Sequence, residues 1–168
     1  MNEIAIPITA IKTLKQAEAV TMPLSSPSKM PGKAWGIPAR LCKRGGKLRK
    51  KKNTTCSICY ARKGRYVFKA VEQAYQRRWI AYKNRPKDVW MDAMVLEISR
   101  QKVPYFRVFD SGDLQDETML KTWFEVARRV PSVHFWLVTK ETGILNRVLQ
   151  TEICPTNMVV RVSAEFIG

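Results

Sequence analysis

Cys42, Cys56 and Cys59 fall within the stretch CKRGGKLRKKKNTTCSICY, spaced C-x13-C-x2-C. A thiolate pair two residues apart, opening what reads as a helix, can hold a metal ion or an iron–sulfur cluster. Three thiolates suffice for a cluster that keeps one iron open to a substrate, whereas a closed structural zinc site wants four ligands. The gap of thirteen residues between Cys42 and Cys56 does not forbid a shared site, because a long loop adds little closure entropy. The remaining thiol, Cys154, precedes a strand and is expected to lie on the far side of the sheet, as a spare. On spacing alone, the competing reading is a surface loop with unremarkable thiols.

A second group of chemistry-bearing residues follows apolar runs. Asp110, Ser111, Gly112 and Asp113 come directly after one such run, Thr139 and Lys140 after the next, and Ser163 and Glu165 after the last. Two nearby carboxylates can bind an amino group or a cation, and Gly112 permits a tight turn against a ligand. Asp113 or Asp116 can equally cap the helix that follows. His134 is the one histidine and sits inside a strand, which argues against a triad or a histidine base. The basic run Lys43 to Lys52 lacks aromatic interleaving, so it does not resemble a base-stacking surface. It can line a phosphate backbone, offset the charge of a bound cluster, or remain a solvated loop.

The elements that must position these residues are read from periodicity. Met1 to Lys33 carries four scattered prolines and is expected to be an extended, mobile segment, with residues 34–168 forming the folded domain. Ala34 to Leu41 reads as a short strand confined to an edge by Pro38. Helical spacing of aromatic and small residues predicts a helix from Ser57 to Asn84, interrupted near Gly64, and Val89 to Ile98 marks the next. Strands are predicted at Pro104–Phe109, Val133–Val138 and Met158–Val162, with helices at Asp116–Val130 and near Gly143–Gln150. This rhythm implies crossover connections and a parallel sheet: an α/β fold with a partial (β/α) barrel and flanking helices. In such sheets the C-terminal strand ends collect ligand-binding groups, and the polar residues above fall at those ends.

Composition narrows the class. A chain of 168 residues with 45% hydrophobic content fits one folded domain. The formal net charge of +16 attracts polyanions, so nucleic acid or a phosphate-bearing ligand is an expected partner, with Lys43–Lys52 as its first contact. No apolar run is long enough to cross a bilayer, and the N-terminus lacks a signal-peptide pattern. A cytoplasmic setting is therefore expected, where Cys-x-x-Cys more often means metal or redox chemistry than a disulfide.

The stretches WGIPARLC, CSICYARKGRY, AYQRRW, FRVFDSGD, WLVTKE and VVRVSAE, in this order, resemble the gene product 88 family of phage and mobile-element proteins. That family is in turn distantly similar to radical S-adenosylmethionine enzymes. The resemblance implies a four-iron cluster on Cys42, Cys56 and Cys59, with Ser111, Gly112 and Asp113 holding the amino group of S-adenosylmethionine. Ser163 or Glu165 would reach its ribose. The familiar C-x3-C-x2-C spacing is absent, and members of the family usually continue into a further cysteine-rich stretch, so a truncated chain ending at Gly168 is an expectation too. Two rivals stay open. One is a zinc-stabilised nucleic-acid-binding module without catalysis, with Cys154 as its fourth ligand; the other is a remnant that binds no cofactor.

Overall fold

The structure, a computed structural model, describes residues 11–167. Four strands form a wholly parallel sheet in the order β1-β2-β3-β4: Lys33–Trp35, Tyr105–Val108, His134–Thr139 and Met158–Val162. Strand order that follows chain order means each crossover advances in one direction, the winding of a (β/α) barrel rather than of a doubly wound sheet. The expected α/β class and parallel sheet with flanking helices are both present.

Alternate residues of the strands build the core. Phe106, Val108, Phe135, Leu137 and Met158 are buried on one face. Against them pack α4 (Lys87–Ser99), α5 (Glu117–Arg129) and α6 (Thr142–Leu149). In α5 the residues Met119, Leu120, Trp123, Phe124, Val126 and Ala127 recur at helical spacing and are all buried, while Asp116 caps the start by accepting the Met119 N–H at 2.8 Å. Trp35, Trp90 and Trp123 meet at ring distances of 5.2–5.7 Å, fixing β1 against α4 and α5.

Several boundaries differ from the sequence reading. The N-terminal segment is not wholly extended: Leu14–Thr21 forms α1, although residues 1–10 of that expectation lie outside the described residues. Its cause is a capping box in which the Thr13 hydroxyl accepts from the Gln16 N–H while the Gln16 side chain accepts from the Thr13 N–H. Ala17 and Val20 then bury against Val89 and Ala93 of α4. The strand expected over Ala34–Leu41 is only Lys33–Trp35, followed by a 3-10 turn at Ala39–Leu41. Pro38, at φ −56°, cannot donate to a ladder and starts that turn instead. The long helix begins at Lys69 as α3 (Lys69–Asn84), not at Ser57. Two 3-10 turns, Tyr60–Arg62 and Gly64–Val67, occupy the interval, and Gly64, at φ +54°, opens the second. Part of the basic run is helical too, as α2 (Lys43–Leu48).

Candidate functional site

The three cysteines come from two short segments that the fold brings together at the C-terminal strand ends. Cys42 closes the 3-10 turn after β1 and starts α2, and its carbonyl accepts the Gly46 N–H at 3.0 Å. Cys56 and Cys59 bracket a turn in which the Cys59 N–H reaches the Cys56 carbonyl at 3.4 Å. Gly45 lies between the two segments. A Cβ there would come within 3.1 Å of the Cys42 Cβ and 3.3 Å of the Cys56 Sγ. Only glycine leaves that space clear.

The loop bearing Cys56 and Cys59 is anchored to the end of β4. Thr55 donates its N–H to the Glu165 carbonyl at 2.9 Å and its hydroxyl to Ala164 O at 2.7 Å. Ile167 donates its N–H to Asn53 O at 3.0 Å, and Thr54 bridges Phe166. The segment bearing Cys42 is anchored to the other strands. The Lys43 ammonium donates to Gln115 O after β2, the Arg44 N–H donates to Glu141 at 2.8 Å after β3, and the Arg44 guanidinium pairs with Glu165. Each strand end thus holds a piece of the cysteine segment.

Burial makes the Cys42 and Cys56 thiols resist ionisation. Burial pushes the Cys42 thiol up to about 12, with the Asp113 carboxylate and the Cys59 and Cys56 thiols adding to it. Cys56 is also raised, by burial first, while the Lys140 ammonium opposes the shift. These mutual effects require the three thiols, Asp113 and Lys140 to share one neighbourhood. Cys154 is elsewhere: it precedes β4 at the opposite end of the sheet, packs against the core, and points its thiol at Met158 O, 3.6 Å away. The zinc reading that drafted Cys154 as a fourth ligand has no such ligand at this site.

The strand-end residues divide by role. Asp113 accepts three hydrogen bonds: from Leu114 N–H at 2.8 Å, the Thr139 hydroxyl at 2.6 Å and Lys140 N–H at 2.9 Å. Thr139 in turn accepts the Glu141 N–H at 2.9 Å. Lys140 extends its ammonium to the Ser163 hydroxyl at 2.8 Å and to the Ala164 carbonyl, tying β3 to β4. Asp110 belongs to a different environment. One of its carboxylate oxygens accepts the Tyr75 hydroxyl of α3 at 2.7 Å, and the other is buried without a partner among the described residues. Its neighbours are Tyr75, Arg78 and Arg107 rather than the cysteines, and burial raises its pKa.

Two glycines, Gly36 and Gly112, allow the strand-end loops to close-pack. A Cβ on Gly36 would fall 2.4 Å from Asp110 Oδ1, and one on Gly112, at φ +86°, would fall 2.3 Å from the Ile37 Cγ1. Phe109, just before Asp110, is at φ +67°, a conformation most side chains avoid. Its N–H donates to Trp35 O at 2.7 Å, and its ring packs against the Trp35 indole, which holds it there. Gly36, Gly45, Arg44 and Glu141 were not picked out as site residues from the sequence. The Gly45-Gly46 pair inside a basic run was the one local signal that backbone must pass close to something.

The donor set is chemically apt for a soft metal centre, because thiolates select zinc or iron–sulfur clusters. Among the described residues, however, no three His, Cys, Asp or Glu side chains stand as they do around a single metal ion. Around one zinc ion, thiolate sulfurs sit about 3.8 Å apart, from the tetrahedral geometry and a zinc–sulfur bond near 2.3 Å.

Fold and site together define a singly wound parallel α/β protein with Cys42, Cys56 and Cys59 on the loops at its C-terminal strand ends. The family model for Gene product 88 matches residues 8–166, and the chain belongs to that family. No curated protein and no solved structure matches it.

Proposed function

We propose that this phage protein carries an iron–sulfur cluster on Cys42, Cys56 and Cys59 and works on a cosubstrate bound beside it, in the manner of radical S-adenosylmethionine enzymes. The observation that carries this reading is the meeting of Cys42 and Cys56 across Gly45, where a single methyl group would intrude. The close neighbours of that position are the Cys42 Cβ and the Cys56 thiol. Three thiolates bind a four-iron cluster, which when bound supplies one electron and one iron free to take a ligand.

The surrounding residues have parts that do not depend on that chemistry. Lys140 places positive charge beside a thiol that must ionise before it can bind metal. Asp113 retains one of about four carboxylate lone-pair sites after its three hydrogen bonds, enough for one contact from a cosubstrate amino group. Gly112 and Ser111 set the loop beside it, and the Ile37 N–H donates to Ser111 O at 3.0 Å. Ser163 and Glu165 are held by Lys140 and Arg44 at the end of β4, where a ribose hydroxyl would find them.

The test is anaerobic reconstitution with iron and sulfide, followed by absorbance and metal analysis. The expected protein is brown, bleaches on reduction, and loses iron in Cys42→Ala, Cys56→Ala and Cys59→Ala but not in Cys154→Ala. Added S-adenosylmethionine should alter the electron paramagnetic resonance signal of the reduced cluster. A colourless chain that retains zinc, with Cys154 as important as Cys56, would sink the proposal in favour of the zinc-stabilised module.

A further inference from the structure

Opposite the helix-covered face, the sheet presents a second face that no described α-helix covers, although the Tyr60 hydroxyl reaches the Arg107 guanidinium on it at 2.8 Å. Parallel sheets are ordinarily buried on both sides, so a bare one calls for an occupant. Tyr105, Trp136 and Val159 stand out from it, 49%, 40% and 53% exposed. The register puts Tyr105 beside His134, Arg107 beside Trp136 and Trp136 beside Val159, with Arg161 one step further along. These residues floor a trough of about 790 Å³ that runs from Met30 and Lys33 to Ser163.

The chemistry of that trough is one-sided. Its charged residues are Lys33, Arg107 and Arg161, and no Asp or Glu lines it. The rings supply flat surface: Tyr105 and His134 lie 5.9 Å apart at 31°, and the Arg107 guanidinium sits 4.7 Å above the Trp136 ring. Exposed aromatics interleaved with arginines on an open sheet are a stacking platform, with bases on the rings and phosphates on the cations. This is the aromatic interleaving that the run Lys43–Lys52 lacks.

We propose that this open sheet face binds single-stranded nucleic acid. A net charge of +16 draws a polyanion to the molecule, and the exposed Lys33 and Arg161 pair with its phosphates, while Arg107 is held by the Tyr60 hydroxyl and backs the Trp136 ring. The same charge argues against a second copy as the occupant, because a two-fold contact would set Lys33, Arg107 and Arg161 against their own counterparts. A duplex is also disfavoured, since its bases are not free to stack on Trp136 and Tyr105. The trough reaches Ser163, so a bound strand would run toward the cysteine end of the sheet. The inference does not require a cluster there.

The experiment is a fluorescence-anisotropy titration of the full chain, before and after cluster reconstitution, with a labelled oligothymidine strand at several salt concentrations. Binding should be tighter to the strand than to a duplex of equal length or to thymidine monophosphate, and should weaken steeply with salt. Trp136→Ala should weaken it about tenfold or more, as the loss of one stacked base does. Arg161→Glu, at an exposed site where folding is not at stake, should weaken it comparably and lower the salt dependence. A variant with Lys47, Arg49, Lys50, Lys51 and Lys52 replaced by Ala should keep most of the affinity. The proposal is overturned if the strand does not bind, or if binding survives both sheet-face substitutions and vanishes in the loop variant. It is equally overturned if the monophosphate competes as strongly as the strand, or if sedimentation shows a dimer that Arg161→Glu disperses. Because the readout is the same with and without iron, its failure is separable from failure of the cluster.

Discussion

The carboxylate of Asp113 accepts the hydroxyl of Thr139 at 2.6 Å, joining the loop after β2 to the last residue of β3, and both side chains are buried. The same carboxylate accepts the Leu114 and Lys140 N–H groups, so one acid organises two of the four strand ends. Removing it leaves three donors unsatisfied in a buried place, which is costlier than losing the bonds alone. Asp113→Ala should therefore destabilise the fold by about 3 kcal/mol or more, and Thr139→Val by about 1 kcal/mol, in urea unfolding. If Thr139→Val leaves the unfolding midpoint unmoved, the contact is incidental and Asp113 is free for ligand alone.

Much of this architecture was legible as pattern. The apolar runs ending at Phe109, Val138 and Val162 gave three of the four strands, and Met119 to Ala127 gave α5, because burial on one face leaves a period that survives without coordinates. The convergence of Cys42 with Cys56 was suggested by residue type. What the pattern hid depends on close approach between segments remote in sequence. Gly36 matters because Asp110 comes to it, and Gly45 because Cys56 does. The helix at Leu14–Thr21 was obscured by the prolines around it, although Thr13 and Gln16 carried a capping box in plain view. The bare sheet face was hidden for another reason: the alternation Tyr105, Arg107 and His134, Trp136 is visible, but what covers a face is a property of topology.

Glu97 on α4 gives the stability a pH dependence. Its side chain is 3% exposed, it accepts the Thr21 hydroxyl, and burial pushes its pKa to about 8, with Glu18 adding to the shift and Arg78 opposing it. A carboxyl raised above its ordinary 4.5 favours the folded state while protonated. That contribution is complete below about pH 4.5 and is lost as the pH rises through about 8. It amounts to a few kcal/mol at most. Melting curves of the wild type should fall in Tm across this window, and Glu97→Gln should flatten the fall and melt higher at pH 8. An identical slope in the variant would assign the effect to another group.

Gly112→Ala tests the close packing of the first two strand-end loops. The residue has φ +86°, and its added methyl would overlap Ile37 Cγ1 at 2.3 Å and the Ile37 carbonyl at 2.8 Å. Backbone strain and overlap act together, so a loss of about 2 kcal/mol or more is expected. Ile37→Ala in the same background relieves the side-chain contact but not the carbonyl one. The double variant should therefore recover nothing useful in thermal unfolding, because Ile37 is itself fully buried. Full recovery would mean the loop can shift away from β1, and that its position is not set by the backbone.

Gly45 and Gly46 form a matched pair for separating stability from metal binding. Both lie in α2, where glycine costs about 1 kcal/mol relative to alanine. A Cβ on Gly46 has nothing within 4 Å, while one on Gly45 enters the space between Cys42 and Cys56. Gly46→Ala should raise the melting temperature and leave reconstituted iron per chain unchanged. Gly45→Ala should keep the fold, since its Cβ would meet the Cys42 Cβ at 3.1 Å and the Cys56 Sγ at 3.3 Å, contacts only slightly too close, yet it should incorporate much less iron and sulfide. Gly45→Ser, larger still, should incorporate least. Equal iron in all three proteins would show that the cleared space beside the Cys56 thiol has no part in holding a cluster, and would leave Gly45 as a packing residue.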